Sequence, residues 1–121
     1  MKIRASDSLL HPEGVFRGKI KAIEATNRYL EGVPEMVFVV ETAPIGEDGP
    51  TGFIRHCLYC IPADTSRFSR MFHAVCGKEV TTDSELCTNE LIGGQATVVV
   101  QHYTKDNGRK GHRIKRWGTP Q

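Results

Sequence analysis

The spacing of apolar residues predicts three β-strands in the first half of the chain. The first strand, 15–26, changes phase midway, because its apolar residues lie on one face up to Ala22 and on the other face from Ile23 onward. A change of phase within a strand indicates a β-bulge or a sharp bend. The second strand, 36–42, is apolar on both faces, and the third, 53–61, alternates until a proline ends it.

A helix is predicted directly after the third strand. Its apolar residues recur at helical spacing and form one continuous stripe made of Phe68, Met71, Phe72, Val75 and Cys76. Asp64 or Thr65 can cap its first turn, and Gly77 supplies the left-handed residue at which many helices end. The capping-box spacing of 82–85 predicts a further helical turn.

The last part of the chain predicts a β-hairpin that carries most of the positive charge. Two β-rich runs, 95–104 and 109–117, flank Asn107 and Gly108, a pair that favours a tight primed turn with positive φ at both central residues. Residues 105–121 contribute +5 to a whole-chain net charge of +2, so the rest of the chain carries −3. A basic hairpin on a mildly acidic body indicates a polyanionic partner, and nucleic acid is the polyanion that this segregation favours.

The order of the predicted elements is strand, strand, strand, helix, strand, strand. A mainly β, five-stranded antiparallel barrel with one helix between strands 3 and 4 has this order. It is the OB-fold, which binds oligonucleotides through the face of strands 2 and 3 and through the 1–2 and 4–5 loops. We therefore expect an OB-like domain at 15–121, preceded by an N-terminal arm at 1–14. An open α+β sheet with the helix on one face is the alternative.

Four segments of the chain resemble a group of small phage and prophage proteins. They are 12–15, which opens the first strand, 37–41 in the second strand, 72–77 at the helix end, and 90–100, where Leu-Ile-Gly-Gly leads into a valine-rich strand. The resemblance extends over 12–117. It implies an OB-like fold and the binding of single-stranded DNA during replication or recombination, and it implies no fixed catalytic residues.

Cationic and aromatic residues around the predicted groove are candidates for binding a single strand, the cations through phosphates and the rings through base stacking. On a regular strand Arg113 and Lys115 share one face with Trp117. The alternative is that these cations protect an edge strand against aggregation while Trp117 and Tyr59 belong to the core. The candidate nucleic-acid-binding residues are Arg28, Tyr29, Arg55, Tyr59, Tyr103, Lys105, Arg109, Lys110, Arg113, Lys115, Arg116 and Trp117.

The expected partner is single-stranded DNA bound without base specificity. RNA is an open alternative, and the sequence does not decide whether the chain forms a homo-oligomer. The competing function is a non-catalytic protein-interaction or structural module built on the same barrel.

The composition, with 39% hydrophobic and 25% charged residues in 121, is that of an ordinary globular protein. No apolar run approaches the ~20 residues that cross a membrane, and the N-terminus has no apolar segment of signal-peptide length, so we expect a cytoplasmic protein without a membrane partner.

Cysteine and histidine residues are the remaining candidates for metal binding or catalysis. Cys57 and Cys60 have the spacing of a zinc knuckle, with Cys76 and Cys87 downstream. The residues between the first two are strand formers, and on a strand i and i+3 point to opposite faces, so we expect buried reduced thiols rather than a metal site. The five histidines are scattered, and no glycine-rich loop precedes a helix to hold a phosphate. We therefore expect no cofactor and no catalytic activity.

Overall fold

The computed structural model describes residues 10–46, 52–61, 63, 66–79 and 88–120. These residues form one five-stranded antiparallel sheet and a single α-helix. The strands are β1 (Gly14–Leu30), β2 (Val33–Pro44), β3 (Gly52–Tyr59), β4 (Gln95–Thr104) and β5 (Lys110–Gly118). The other elements are helix α1 (Arg67–Cys76), between β3 and β4, and a 3₁₀ turn (Thr88–Leu91) before β4. The prediction of a mainly β chain with a helix between strands 3 and 4 is confirmed.

The sheet has the strand order β3-β2-β1-β4-β5, so β3 and β5 are its two edges. The pairing within the described residues does not close the sheet, and closure into a barrel stays a prediction. The two edges nevertheless approach each other, because the ring of His56 on β3 lies 5.7 Å from the ring of Trp117 on β5. We call the space between these two strands the β3–β5 seam.

The central strand, β1, bends between its two neighbours. Its first residues pair with β4, and most of its length pairs with β2. The β1–β2 register shifts between Ile20 and Ala22, which confirms the predicted change of phase. The strand continues to Leu30, beyond its predicted end, because it pairs with β2 as far as a two-residue turn. That turn consists of Glu31 and Gly32, whose φ angles of 49° and 83° identify a primed hairpin turn.

The hairpin between β4 and β5 is confirmed, but the turn predicted at Asn107 and Gly108 is wrong. Gly108 has a φ of 81°, whereas Asn107 is not among the described residues with positive φ. The N–H of Gly108 donates to the carbonyl of Lys105 (2.9 Å), and the N–H of Lys105 donates to the carbonyl of Arg109 (2.7 Å). This is a type I turn followed by one left-handed glycine, which needs positive φ at one position only.

The core lies between α1 and one face of the sheet. Phe38, Ile20 and Ile54 of the sheet are each at most 1% exposed, and so are Met71 and Phe72 of the helix. Burial of a side chain of this kind contributes about 1.5–3 kcal/mol, so the predicted helical stripe anchors α1 on the sheet. The stripe is confirmed in its first turns and is half-buried at its end, where Val75 and Cys76 lie.

The ends of α1 are set by Ser66 and Gly77. The hydroxyl of Ser66 accepts a hydrogen bond from the N–H of Ser69 (3.0 Å), so the cap is Ser66 rather than Asp64 or Thr65. Gly77 adopts a φ of 71° and ends the helix, as predicted. Residues 64–65 and the predicted helical turn at 82–85 lie outside the described residues.

A β-bulge changes which side chains of β5 share a face. The β4–β5 register shifts by one residue at Lys115, which has no partner on β4. Ile114 and Trp117 therefore both pack against the core, whereas Arg113 and Arg116 pair with outward-facing positions of β4. The prediction that Arg113, Lys115 and Trp117 share one face is wrong, because the extra residue reverses the alternation after Ile114.

The end of the predicted arm is attached to the body. His11 is 4% exposed, and its imidazole is hydrogen-bonded to the hydroxyl of Thr42 on β2. The N–H of His11 also donates to Nδ1 of His112 on β5 (2.8 Å). Residues 1–9 lie outside the described residues.

The three described cysteines differ in solvent exposure. Cys57 is exposed on the outer face of β3, so the prediction of a buried thiol is wrong there, while Cys60 and Cys76 are half-buried. Burial raises the pKa of the Cys60 thiol to about 11. The described residues contain no group of three side chains placed to hold a metal ion, and Cys87 lies outside them. Nor does the described part of the chain contain a helix long and apolar enough to cross a membrane.

Candidate nucleic-acid interface

Residues of β5, α1 and β3 line a cavity of about 340 Å³ in the β3–β5 seam. Five of its eight lining residues are arginine or lysine, and none is acidic. We call this space the basic cavity. Its lining residues are His56, Arg67, Arg70, Arg113, Ile114, Lys115, Arg116 and Trp117.

Two local features of the sequence place these cations around one space. Ser66 starts α1 so that Arg67 and Arg70 fall in its first turn at i and i+3, on one side of the helix and away from its buried stripe. On β5 the bulge at Lys115 sends Trp117 into the core while the neighbouring cations stay outside. Packing α1 against the sheet then brings the two basic segments together.

The cations of the basic cavity have no carboxylate partner in the described part of the chain. The ion pairs found there are Arg55–Glu24, Lys78–Glu90 and, weakly, His102–Glu13, and none of these residues lines the cavity. Among the described residues, therefore, no carboxylate neutralises the cations of the cavity lining. An unpaired cluster of this kind focuses a positive potential into the space it encloses.

His56 forms the β3 wall of the basic cavity and is uncharged at neutral pH. It is 9% exposed, and burial, followed by the charge of Arg67, lowers its pKa to about 4. A neutral imidazole has one N–H donor and one acceptor nitrogen. The ring lies tilted at 59° against the indole of Trp117. The indole N–H of Trp117 is itself buried and has no acceptor among the described residues.

Tyr103, on β4, lies next to one residue of the cavity lining, Arg113. The guanidinium carbon of Arg113 lies 5.5 Å from the centroid of the Tyr103 ring, within the range of a cation–π contact. Tyr103 lies over Gly111, since a Cβ on that glycine would come within 2.8 Å of the tyrosine ring. The glycine thus lets an aromatic ring rest on β5 beside the basic cavity, with 38% of the tyrosine exposed.

The face of strands β2 and β3, where the sequence predicted the groove, carries acidic residues. Arg55 is bound to Glu24 through an Nη2–Oε2 contact of 2.6 Å. This pairing lowers the pKa of Glu24, chiefly through the hydrogen bond and then through the arginine charge. Tyr59 is half-buried and pairs with Glu35 on β2. The structure therefore does not bring Arg55 or Tyr59 to the basic cavity.

The candidate binding residues at the two hairpin turns lie away from the cavity. Arg28 and Tyr29 are exposed at the β1–β2 turn, with Tyr29 67% exposed. That turn and the β4–β5 turn lie at opposite ends of β1 in the sheet. Lys105, Arg109 and Lys110 are exposed at the β4–β5 turn, at the far end of β5 from Trp117.

Four cavity residues were not predicted from the sequence: the apolar Ile114 and the polar His56, Arg67 and Arg70. The available signal for the arginines was their spacing at i and i+3 in a helical turn that contains no acidic residue. Acidic residues are favoured in that turn, so two arginines there are unusual. For His56 the signal was its position among apolar residues of β3, in phase with Ile54 and Leu58.

Comparison of the chain with protein-family models and with curated proteins gave no match. The resemblance to small phage and prophage proteins therefore stays a prediction based on short segments of the sequence.

Proposed function

We propose that the protein binds single-stranded nucleic acid without base specificity, and that the strand lies along β5 and the basic cavity. The observation that carries the proposal is the cavity itself, where five of the eight lining residues are cationic and have no carboxylate partner in the described part of the chain. Cations in such an arrangement neutralise backbone phosphates, and the counterions released on binding provide affinity. Tyr103, which lies beside the cavity, offers a ring on which a base can stack.

An OB-like barrel, open between β3 and β5, is the proposed architecture. The strand order β3-β2-β1-β4-β5 is that of an OB barrel cut between strands 3 and 5, with the helix in the expected place. The contact between His56 and Trp117 spans this opening. With the acidic residues on the β2–β3 face, these features support a strand bound at the seam rather than across strands 2 and 3.

DNA is the proposed strand, in a non-catalytic role in phage-type replication or recombination, because the sequence resemblance implies both. The competing function is a protein-interaction module on the same scaffold. One observation favours it: Val15 and Phe53 are apolar and project from the outer face of the sheet, 52% and 56% exposed. A protein interface built on these residues would leave the basic cavity unused.

The proposal is tested by comparing the affinity of the protein for oligo-dT with its affinity for a duplex of the same length. Trp117 is the only tryptophan and lines the basic cavity, so its fluorescence reports binding there. We expect oligo-dT to change this fluorescence and to bind more tightly than duplex. Equal affinities would contradict a single-strand preference, and no binding of either at about 50 mM salt would contradict the proposed function.

A further inference from the structure

We propose that the basic cavity is a discrete phosphate-binding site, in which Arg67 and Arg70 of α1 hold a phosphate ester of the strand together with the cations of β5. This inference deepens the proposed function and rests on it. It assigns a role to two arginines that lie outside the basic tail of the chain, and it names the chemical group that the cavity takes.

The first turn of α1 is built as an anion site. The N-terminal end of a helix carries a partial positive charge, so cations there are unfavourable unless an anion is present. Arg67 and Arg70 occupy this turn, and it contains no acidic residue. In the described part of the chain neither arginine has a carboxylate within ion-pair distance. A bound phosphate would interact favourably with both guanidinium groups and with the helix end.

The cavity lining contains buried polar side chains that have no hydrogen bond among the described residues. The imidazole of His56 is about nine-tenths buried, lines the cavity and forms no hydrogen bond within the described part of the chain. The indole N–H of Trp117, on the facing strand, is buried and has no acceptor there either. Buried polar groups are normally hydrogen-bonded, so the His56 imidazole, with no hydrogen bond among the described residues, is a donor that a bound acceptor could satisfy. Phosphate oxygens are acceptors and carry the complementary charge.

The size of the cavity is compatible with a phosphate ester. A volume of about 340 Å³ lies at the lower end of the range for small-molecule sites. It therefore leaves room for the sugar attached to the phosphate. The phosphate could come from a diester within the strand or from a monoester at its 5′ end, and both present the same oxygens to the arginines.

The test compares two variants that each remove two positive charges. The first, Arg67→Gln with Arg70→Gln, acts on the basic cavity. The second, Lys19→Gln with Lys21→Gln, acts on β1, outside the cavity lining. Affinity for oligo-dT bearing a 5′-hydroxyl is measured from Trp117 fluorescence over a range of salt, and far-UV circular dichroism checks that both variants are folded.

We expect the helix variant to lose at least about tenfold in affinity and to reduce the slope of log affinity against log salt by about 0.7, since the two arginines hold one phosphate and each lost single-strand phosphate contact accounts for about 0.7. The β1 variant should stay within about threefold of the parent because its contribution is only long-range and is screened by salt. Inorganic phosphate should displace oligo-dT from the parent more strongly than chloride does at equal ionic strength. Oligo-dT with a 5′-phosphate identifies the source: tighter binding than the 5′-hydroxyl form indicates a terminal monoester, and equal binding indicates an internal diester.

Two results would overturn the inference, and they are distinguishable. If the parent binds oligo-dT but the helix variant binds as tightly as the β1 variant, the cavity is not a phosphate site and the proposed function survives. If the parent fails to bind oligo-dT even at about 50 mM salt, the proposed function fails and the inference fails with it.

Discussion

Replacing His56 with phenylalanine should remove a large part of the pH dependence of stability. In the folded protein, burial and then the charge of Arg67 lower the pKa of His56 to about 4, from an ordinary value of 6.5. The folded state therefore binds a proton at His56 less readily than the unfolded chain does. As the pH falls from about 6.5 towards 4, the unfolded chain gains a proton that the folded protein cannot accept, and the free energy of unfolding decreases.

The expected magnitude follows from the size of the pKa shift. One pKa unit corresponds to about 1.4 kcal/mol, so full protonation would cost the folded protein about 3 kcal/mol, reached below pH 4. Carboxylates also titrate near pH 4, so the useful window lies higher. Between about pH 7.5 and pH 5 the contribution of His56 alone amounts to about 2 kcal/mol. Phenylalanine keeps a ring against Trp117 and has no proton to bind.

The assay is equilibrium urea unfolding, followed by far-UV circular dichroism, at several pH values in that window. Burial, followed by the charges of His11, His102 and Lys105, also lowers the pKa of His112, so the parent carries a second contribution of the same sign. That contribution remains in the His56→Phe variant, and the difference between the two proteins isolates His56. His73→Gln, which changes an exposed histidine of α1, is the matched control and should leave the pH dependence of the parent in place. Parallel curves for the parent and His56→Phe would refute the reasoning, because they would mean that His56 titrates alike in both states.

Three further sets of substitutions address β5, the cap of α1 and the packing of α1 separately. Reversing Arg113 and Lys115 to glutamate should abolish oligo-dT binding at moderate salt without lowering the melting temperature by more than a few degrees, and an unchanged affinity would mean that β5 is not the site. Ser66→Ala should lower the free energy of unfolding by about 1 kcal/mol because the helix loses its cap. Ser66→Asp should restore most of this free energy. Equal stability of the parent and the alanine variant would show that the cap is not needed. Gly94→Ala should lower the free energy of unfolding by about 1–3 kcal/mol because its Cβ would overlap the stiff side chain of Val75, and a stable variant would show that α1 can move away from this turn.

The local elements were predictable because the residues that form them lie close together in the chain. The apolar stripe from Phe68 to Phe72 identified α1, and Gly77 identified its end. The phase change at Ala22 identified the bend in β1. These signals do not depend on the rest of the molecule.

The turns show where local preference fails. Asn107 and Gly108 favour a primed turn, yet only the glycine adopts positive φ, because the longer connection needs one left-handed residue. The primed turn lies instead at Glu31 and Gly32, where the register of β1 and β2 leaves two residues to reverse the chain. The register between the paired strands therefore determined the type of each hairpin turn.

Only half of the residues that line the cavity were predicted, and three of the others come from segments that are distant in the sequence from β5. Ile114 and Trp117 are three residues apart on one strand and can share a face only across a bulge, so the sequence held a sign of it. Nothing in the sequence brings Arg67 and Arg70 to β5, because that contact depends on how α1 packs over the seam. The segregation of charge along the sequence identified β5 as basic, but it gave no indication that α1 contributes to the same cavity.

The most direct test of the central claim is the slope of log affinity for oligo-dT against log salt, measured with the unmodified protein. If the cations of the basic cavity contact phosphates, the slope should be negative by about 0.7 for each phosphate held, and so at least as steep as about −0.7. A slope near zero, with binding intact, would show that the cavity cations do not contact phosphates and would contradict the account.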